Sequence, residues 1–156
     1  MNIYNQEEVN RVWDRVLGST KQPPSDSDEE STPLQDWFCQ ERQAACQYAA
    51  LASRTNGRAA RLLRRIAQEK AAHAKQLAAL IYVQTGQCPR RCPAQAAVGD
   101  CLCQALRKQI AAEQALAQAY QTASENSGAE APMLRCLSCR TAAHARQLIC
   151  LLSRMV

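Results

Sequence analysis

The heptapeptide AAHAKQL at 71–77 returns as AAHARQL at 142–148. Outward from it, Leu63-Arg64 is answered by Leu134-Arg135, and Leu80 by Leu151, all at an offset of 71. Further upstream, Glu41-x6-Tyr48 is answered by Glu113-x6-Tyr120 at an offset of 72. A one-residue difference placed in a turn reconciles the two offsets. The chain therefore reads as a duplicated helical hairpin.

Capping and breaker residues mark the helices. Thr32 is an N-cap candidate, Pro33 suits a first helical position, and Gln35 completes a capping box, so a helix is expected from 33 to about Ser53. Asn56-Gly57 is a turn, and the next helix runs from about Arg58 to Val83, before Gly86. Residues 84–99 form a long crossover, Asp100 caps a helix to about Ser124, and Asn126-Ser127-Gly128 turns into a last helix ending near Arg154. Four long helices with two tight turns and one long crossover make an all-α four-helix bundle over 33–154. Ahead of it, residues 1–18 read as a short amphipathic helix with Val9, Val12, Trp13, Val16 and Leu17 on one face. Residues 19–32 read as a mobile linker rich in Pro, Ser and acids.

Composition agrees. The 156 residues are 47% apolar and only 4% aromatic, with 5 glycines, which disfavours β-sandwiches and Gly-rich nucleotide folds. Residues 1–33 carry seven acids and three bases, while the remainder carries seven acids and sixteen bases. The longest apolar run, Leu77 to Val83, is far too short for a membrane span. The start MNIYNQEEVN has no apolar stretch of the signal-peptide kind, so a cytoplasmic protein is expected. Nine cysteines cannot all pair, and their spacings do not make the paired blocks of a zinc ribbon. Free thiols in a reducing compartment are the expected state.

Heptad columns place polar groups on apolar faces. His73 shares a column with Ile66 and Leu80, Lys70 with Leu63 and Leu77, His144 with Leu137 and Leu151, and Thr141 with Leu134 and Leu148. Glu41 and Tyr48 share a third column, and Glu113 and Tyr120 a fourth. Residues at one level of an antiparallel hairpin are equidistant from its turn. Glu41 and His73 are centred on Gly57, and Glu113 and His144 fall beside Gly128. Two-fold packing of the hairpins would bring all four into one central layer. Buried titratable groups are costly unless paired or metal-bound, so this layer is a metal site, present or ancestral.

The pattern Glu41-x6-Tyr48, His73, Glu113-x6-Tyr120, His144 resembles the ferritin-like superfamily, most closely the rubrerythrin type. The resemblance implies a bundle that binds two irons and handles oxygen, peroxide or iron. Glu41 and Glu113 would then be terminal ligands, with His73 and His144 as nitrogen ligands. The family adds a Glu three residues before each His, and those carboxylates bridge the metals. Here the two positions hold Lys70 and Thr141. Two divalent ions held close together repel, and bridging carboxylates screen that repulsion. Their loss leaves two arrangements, a metal-free salt-bridge network or a single divalent metal, iron by resemblance. The function implied is non-catalytic binding or scaffolding, the alternative being an iron-dependent oxidoreductase or peroxidase. Glu69, one step from Lys70, has two readings: a site-associated residue that swings inward, or, read first, a flank residue; its repeat partner is Arg140, so it cannot restore a symmetric pair.

Two further signals stand apart from the layer. Arg54, Arg58, Arg61, Arg64 and Arg65 form a basic stripe, read first as a solvated face and second as a polyanion-binding surface. With few aromatics for base stacking, nucleic acid is not favoured as a partner. Association of several copies of the chain is compatible with such a bundle. In Cys88-Pro-Arg-Arg-Cys92, arginines beside the thiols make redox-responsive cysteines the alternative to inert ones.

Overall fold

The computed structural model describes residues 32–96, 99 and 101–155. The sequence-derived N-terminal helix, the linker up to 31 and the cap Asp100 lie outside the described residues. Among the described residues four helices form the fold: α1 (Pro33–Ser53), α2 (Gly57–Thr85), α3 (Leu102–Glu125) and α4 (Ala131–Leu152). Thr32 caps α1 by accepting from the Gln35 amide at 3.4 Å. The reciprocal half of the capping box is absent, because the Gln35 side chain turns to the crossover instead. Cys101 occupies the N-cap position of α3 and makes no side-chain cap.

The turns are built locally. Arg54 N–H bonds the Leu51 carbonyl at 3.1 Å, and Gly57 then takes a φ of 59°, a left-handed conformation that glycine adopts without steric cost. Helix α2 ends at Gly86, again left-handed, whose N–H bonds the Tyr82 carbonyl at 2.8 Å. Asn126 and Ser127 close α3 by bonding the carbonyls of Thr122 and Ala123.

Two apolar layers fill the bundle. One joins Phe38, Leu77, Ile81, Leu116, Leu134 and Leu137, so the start of α1 meets the end of α2, the end of α3 and the start of α4. The other joins Leu51, Leu63, Ile66, Leu106 and Leu148 from the opposite ends. Each hairpin is thus antiparallel within itself, and α1 is also antiparallel to α3, and α2 to α4. The Lys70 and Thr141 columns are sealed: Leu63, Leu77 and Leu148 are fully buried, and Leu134 nearly so.

This topology makes the crossover run the length of α1. Gln35 and Gln43 each grip one crossover residue by its backbone. Gln35 donates to the Arg90 carbonyl (3.1 Å) and accepts from its N–H (3.0 Å). Gln43 does the same at Gln95, at 2.6 and 2.8 Å. Arg54 donates to the Gly99 carbonyl at 2.7 Å. Between the two glutamines, Cys39 and Cys92 form a disulfide with Cα atoms 5.4 Å apart. The expectation of free thiols is corrected for this pair, while the other seven cysteines are free. The crossover has no hydrophobic period from which its path over Cys39 could be read.

Candidate functional site

Between the two apolar layers lies a polar one, set by the columns of four helices. Helix α1 supplies Glu41 and Tyr48, α2 Glu69, Lys70 and His73, α3 Glu113 and Tyr120, and α4 Thr141 and His144. All except Glu69 are buried. The Lys70 ammonium sits between the carboxylates, with Nζ 3.1 Å from Glu41 Oε2 and 2.9 Å from Glu113 Oε2. The other carboxylate oxygens are met by phenols of the opposite hairpin. Tyr120 donates to Glu41 Oε1 at 2.8 Å, and Tyr48 donates to Glu113 Oε1 at 2.9 Å. Each His stands against the Glu of its own hairpin: His73 Nδ1 is 3.5 Å from Glu41 Oε1, and His144 Nδ1 is 3.5 Å from Glu113 Oε2. The imidazoles stack with centroids 5.8 Å apart and planes 21° apart.

The two-fold likeness between the hairpins is incomplete. Glu69 turns inward enough for its Oε2 to lie 2.8 Å from His144 Nε2. Of the two readings of Glu69, the side chain takes the inward one: its backbone position is flanking, but the side chain is long enough to reach the ring. His73 has no such partner, because the equivalent residue, Arg140, is exposed. His73 Nε2 and Thr141 Oγ1 are buried without a hydrogen-bond partner among the described residues.

The charges follow from this geometry. Burial alone raises the Glu41 pKa. The His73 ring, the Lys70 ammonium and the Tyr120 hydroxyl outweigh it and hold this carboxyl below the usual Glu range. Glu69 is likewise lowered: its desolvation is outweighed by His144, and then by Arg65 and Arg140. Burial, with the negative charge of the carboxylate each one bonds, pushes the Tyr48 and Tyr120 phenols well above their ordinary value. Both remain protonated donors.

The donor set does not suit a pair of metal ions. An ammonium already lies between the two buried carboxylates, and Thr141 offers only a neutral hydroxyl. Among the described residues, no three His, Cys, Asp or Glu side chains are placed to hold a metal ion. Among the described residues of the layer, Glu69 is the one that is not buried, being one third exposed.

Sequence reasoning missed a second set of polar contacts. Gln109 is buried and donates to Gln47 Oε1 at 2.7 Å, tying α3 to α1. Its place in the heptad column of Leu102 and Leu116 was the available signal. The Gln35 and Gln43 grips on the crossover carried none, since glutamine on a helix reads as surface. On α2, Arg58, Arg61, Arg64 and Arg65 are exposed, and Arg65 is engaged by Gln147 (3.2 Å) and Glu69 (3.9 Å). Among the described residues no helix is long and apolar enough to cross a membrane. Neither a family model, a curated protein nor a solved structure matches this chain.

Proposed function

We propose that this chain is a ferritin-like, rubrerythrin-related bundle in which a lysine ammonium stands where the metal pair of such proteins would lie. Its role is then binding or scaffolding rather than oxidation. The observation that carries this reading is Lys70 Nζ within 3.1 Å of both Glu41 and Glu113, at the level of the two stacked histidines. A fixed cation between the carboxylates offsets one of the two negative charges that a metal would otherwise be needed to balance. The duplicated Glu, Tyr and His at matching depth supports descent from a symmetric site, and the Lys70/Thr141 pair supports its loss.

The test is metal content by mass spectrometry after anaerobic purification from iron-replete cells. The expected result is no stoichiometric iron. Two irons per chain would overturn the reading and restore the alternative, an iron-dependent peroxidase or oxidase. A second reading is favoured by the exposed Arg58, Arg61 and Arg64 on α2, which suit a polyanion. It is tested by salt-dependent retention on heparin, compared with a variant in which these three are changed to Gln.

A further inference from the structure

The Cys39–Cys92 disulfide joins α1 to the crossover, and both cysteines are only half-buried. One side chain faces both sulfurs: Gln35 Nε2 lies 3.4 Å from Cys39 Sγ and 3.5 Å from Cys92 Sγ. An amide N–H at that position contributes little to an intact disulfide, whose sulfurs are weak acceptors. It contributes much more to a thiolate, because hydrogen bonds to charged acceptors are the stronger ones. Whichever sulfur leaves when the bond opens, a donor already faces it. Arg90 and Arg91 adjoin Cys92 in sequence on an exposed segment and add positive charge for an incoming thiolate. The crossover is also held by Gln35, Gln43 and Arg54, so opening the bond does not free it from α1.

We propose that Cys39–Cys92 is a thiol–disulfide exchange site that accepts electrons from a dithiol, with Gln35 as its positioning residue. A thiolate of the dithiol attacks Cys92 Sγ. The Cys39–Cys92 bond breaks, and Cys39 leaves as a thiolate onto the Gln35 N–H. The second thiol of the dithiol, as thiolate, attacks its own sulfur in the mixed disulfide and releases Cys92. The dithiol departs oxidised, its two protons pass to Cys39 and Cys92, and two electrons have entered the chain.

The test uses the full chain in native buffer with dithiothreitol as the dithiol. Samples are quenched with a maleimide over time and labels are located by peptide mass mapping. The starting protein is expected to be unlabelled at Cys39 and Cys92. Both then gain label together while far-UV circular dichroism stays constant, and reoxidation restores protection. Gln35→Glu keeps an acceptor for the Arg90 N–H but removes the donor and sets a carboxylate beside the sulfurs. Its reduction should be slower by about tenfold, the size of one lost hydrogen bond to a charged group. Gln35→Met removes the donor without adding charge and gives the same comparison if Gln35→Glu fails to fold. The proposal is overturned if Cys39 and Cys92 label at the outset, if they label only in denaturant, or if the folded Gln35 variant is reduced as fast as the parent. None of these results depends on whether the bundle descends from a metal protein.

Discussion

Replacing Lys70 by Met separates charge from packing. Methionine keeps most of the lysine stem, so the layer stays filled and the change is mainly the loss of the ammonium. At 3.1 and 2.9 Å, and an effective dielectric of about 20, each ion pair is worth roughly 5 kcal/mol before desolvation. Burying the ammonium takes back several kcal/mol, so the net loss on breaking this buried arrangement should be about 3–5 kcal/mol. That is a large part of the ~5–15 kcal/mol that holds an ordinary domain together. The sign of the pH dependence is also fixed. Without Lys70, Glu41 and Glu113 become like charges in a buried layer, and one must hold a proton. Its folded pKa then rises above the unfolded value of about 4.3, so the penalty grows as pH rises from about 4.3 through that folded value and is full above it. Urea unfolding followed by circular dichroism should show the larger deficit at about pH 8 and a smaller one at about pH 5. A deficit under about 1 kcal/mol at both, as for an exposed pair, would refute the bridging role of Lys70.

The double change Lys70→Glu with Thr141→Glu should create iron binding, read by calorimetric or mass-spectrometric titration; a folded double variant that takes up no more iron than the parent removes the support for descent from a metal site. Tyr48→Phe and Tyr120→Phe each strip one hydrogen bond from a buried carboxylate and should each cost about 1–3 kcal/mol in urea unfolding; a cost under about 0.5 kcal/mol for either would mean that its phenol does not support the carboxylate. Because the Glu41 pKa is lowered on folding, its contribution is full above about pH 4.3 and is lost as pH falls through the folded value, so the urea midpoint should drop on acidification. A flat midpoint down to about pH 2 would contradict this. Gln43→Ala should speed amide exchange around Gln95 with little change in global stability, since the grip it removes is exposed.

The hairpins and the polar layer were legible because they are periodic. Lys70 stands between Leu63 and Leu77 at heptad spacing, which marks it as internal whatever its charge. The centring of Glu41 and His73 on Gly57 needs only antiparallel geometry. What the sequence hid was aperiodic. The path of the crossover depends on Gln35, Gln43 and Cys39 meeting residues about fifty positions away, and no local pattern encodes that. Which of its two readings Glu69 would follow was hidden for a related reason. A heptad column assigns the Cβ to a face, whereas a long side chain can bring its carboxylate around to the next one.

The phenol-to-carboxylate bonds all pass from one hairpin to the other. Each hairpin is local in sequence and so is quick to form. Alone, however, it holds a carboxylate whose phenol is on its partner, and the hairpin of α3 and α4 lacks Lys70 as well. Neither half can satisfy its own buried chemistry. The molecule is therefore expected to fold in a single cooperative transition governed by docking of the halves, and a cut in the crossover would leave two fragments that each need the other.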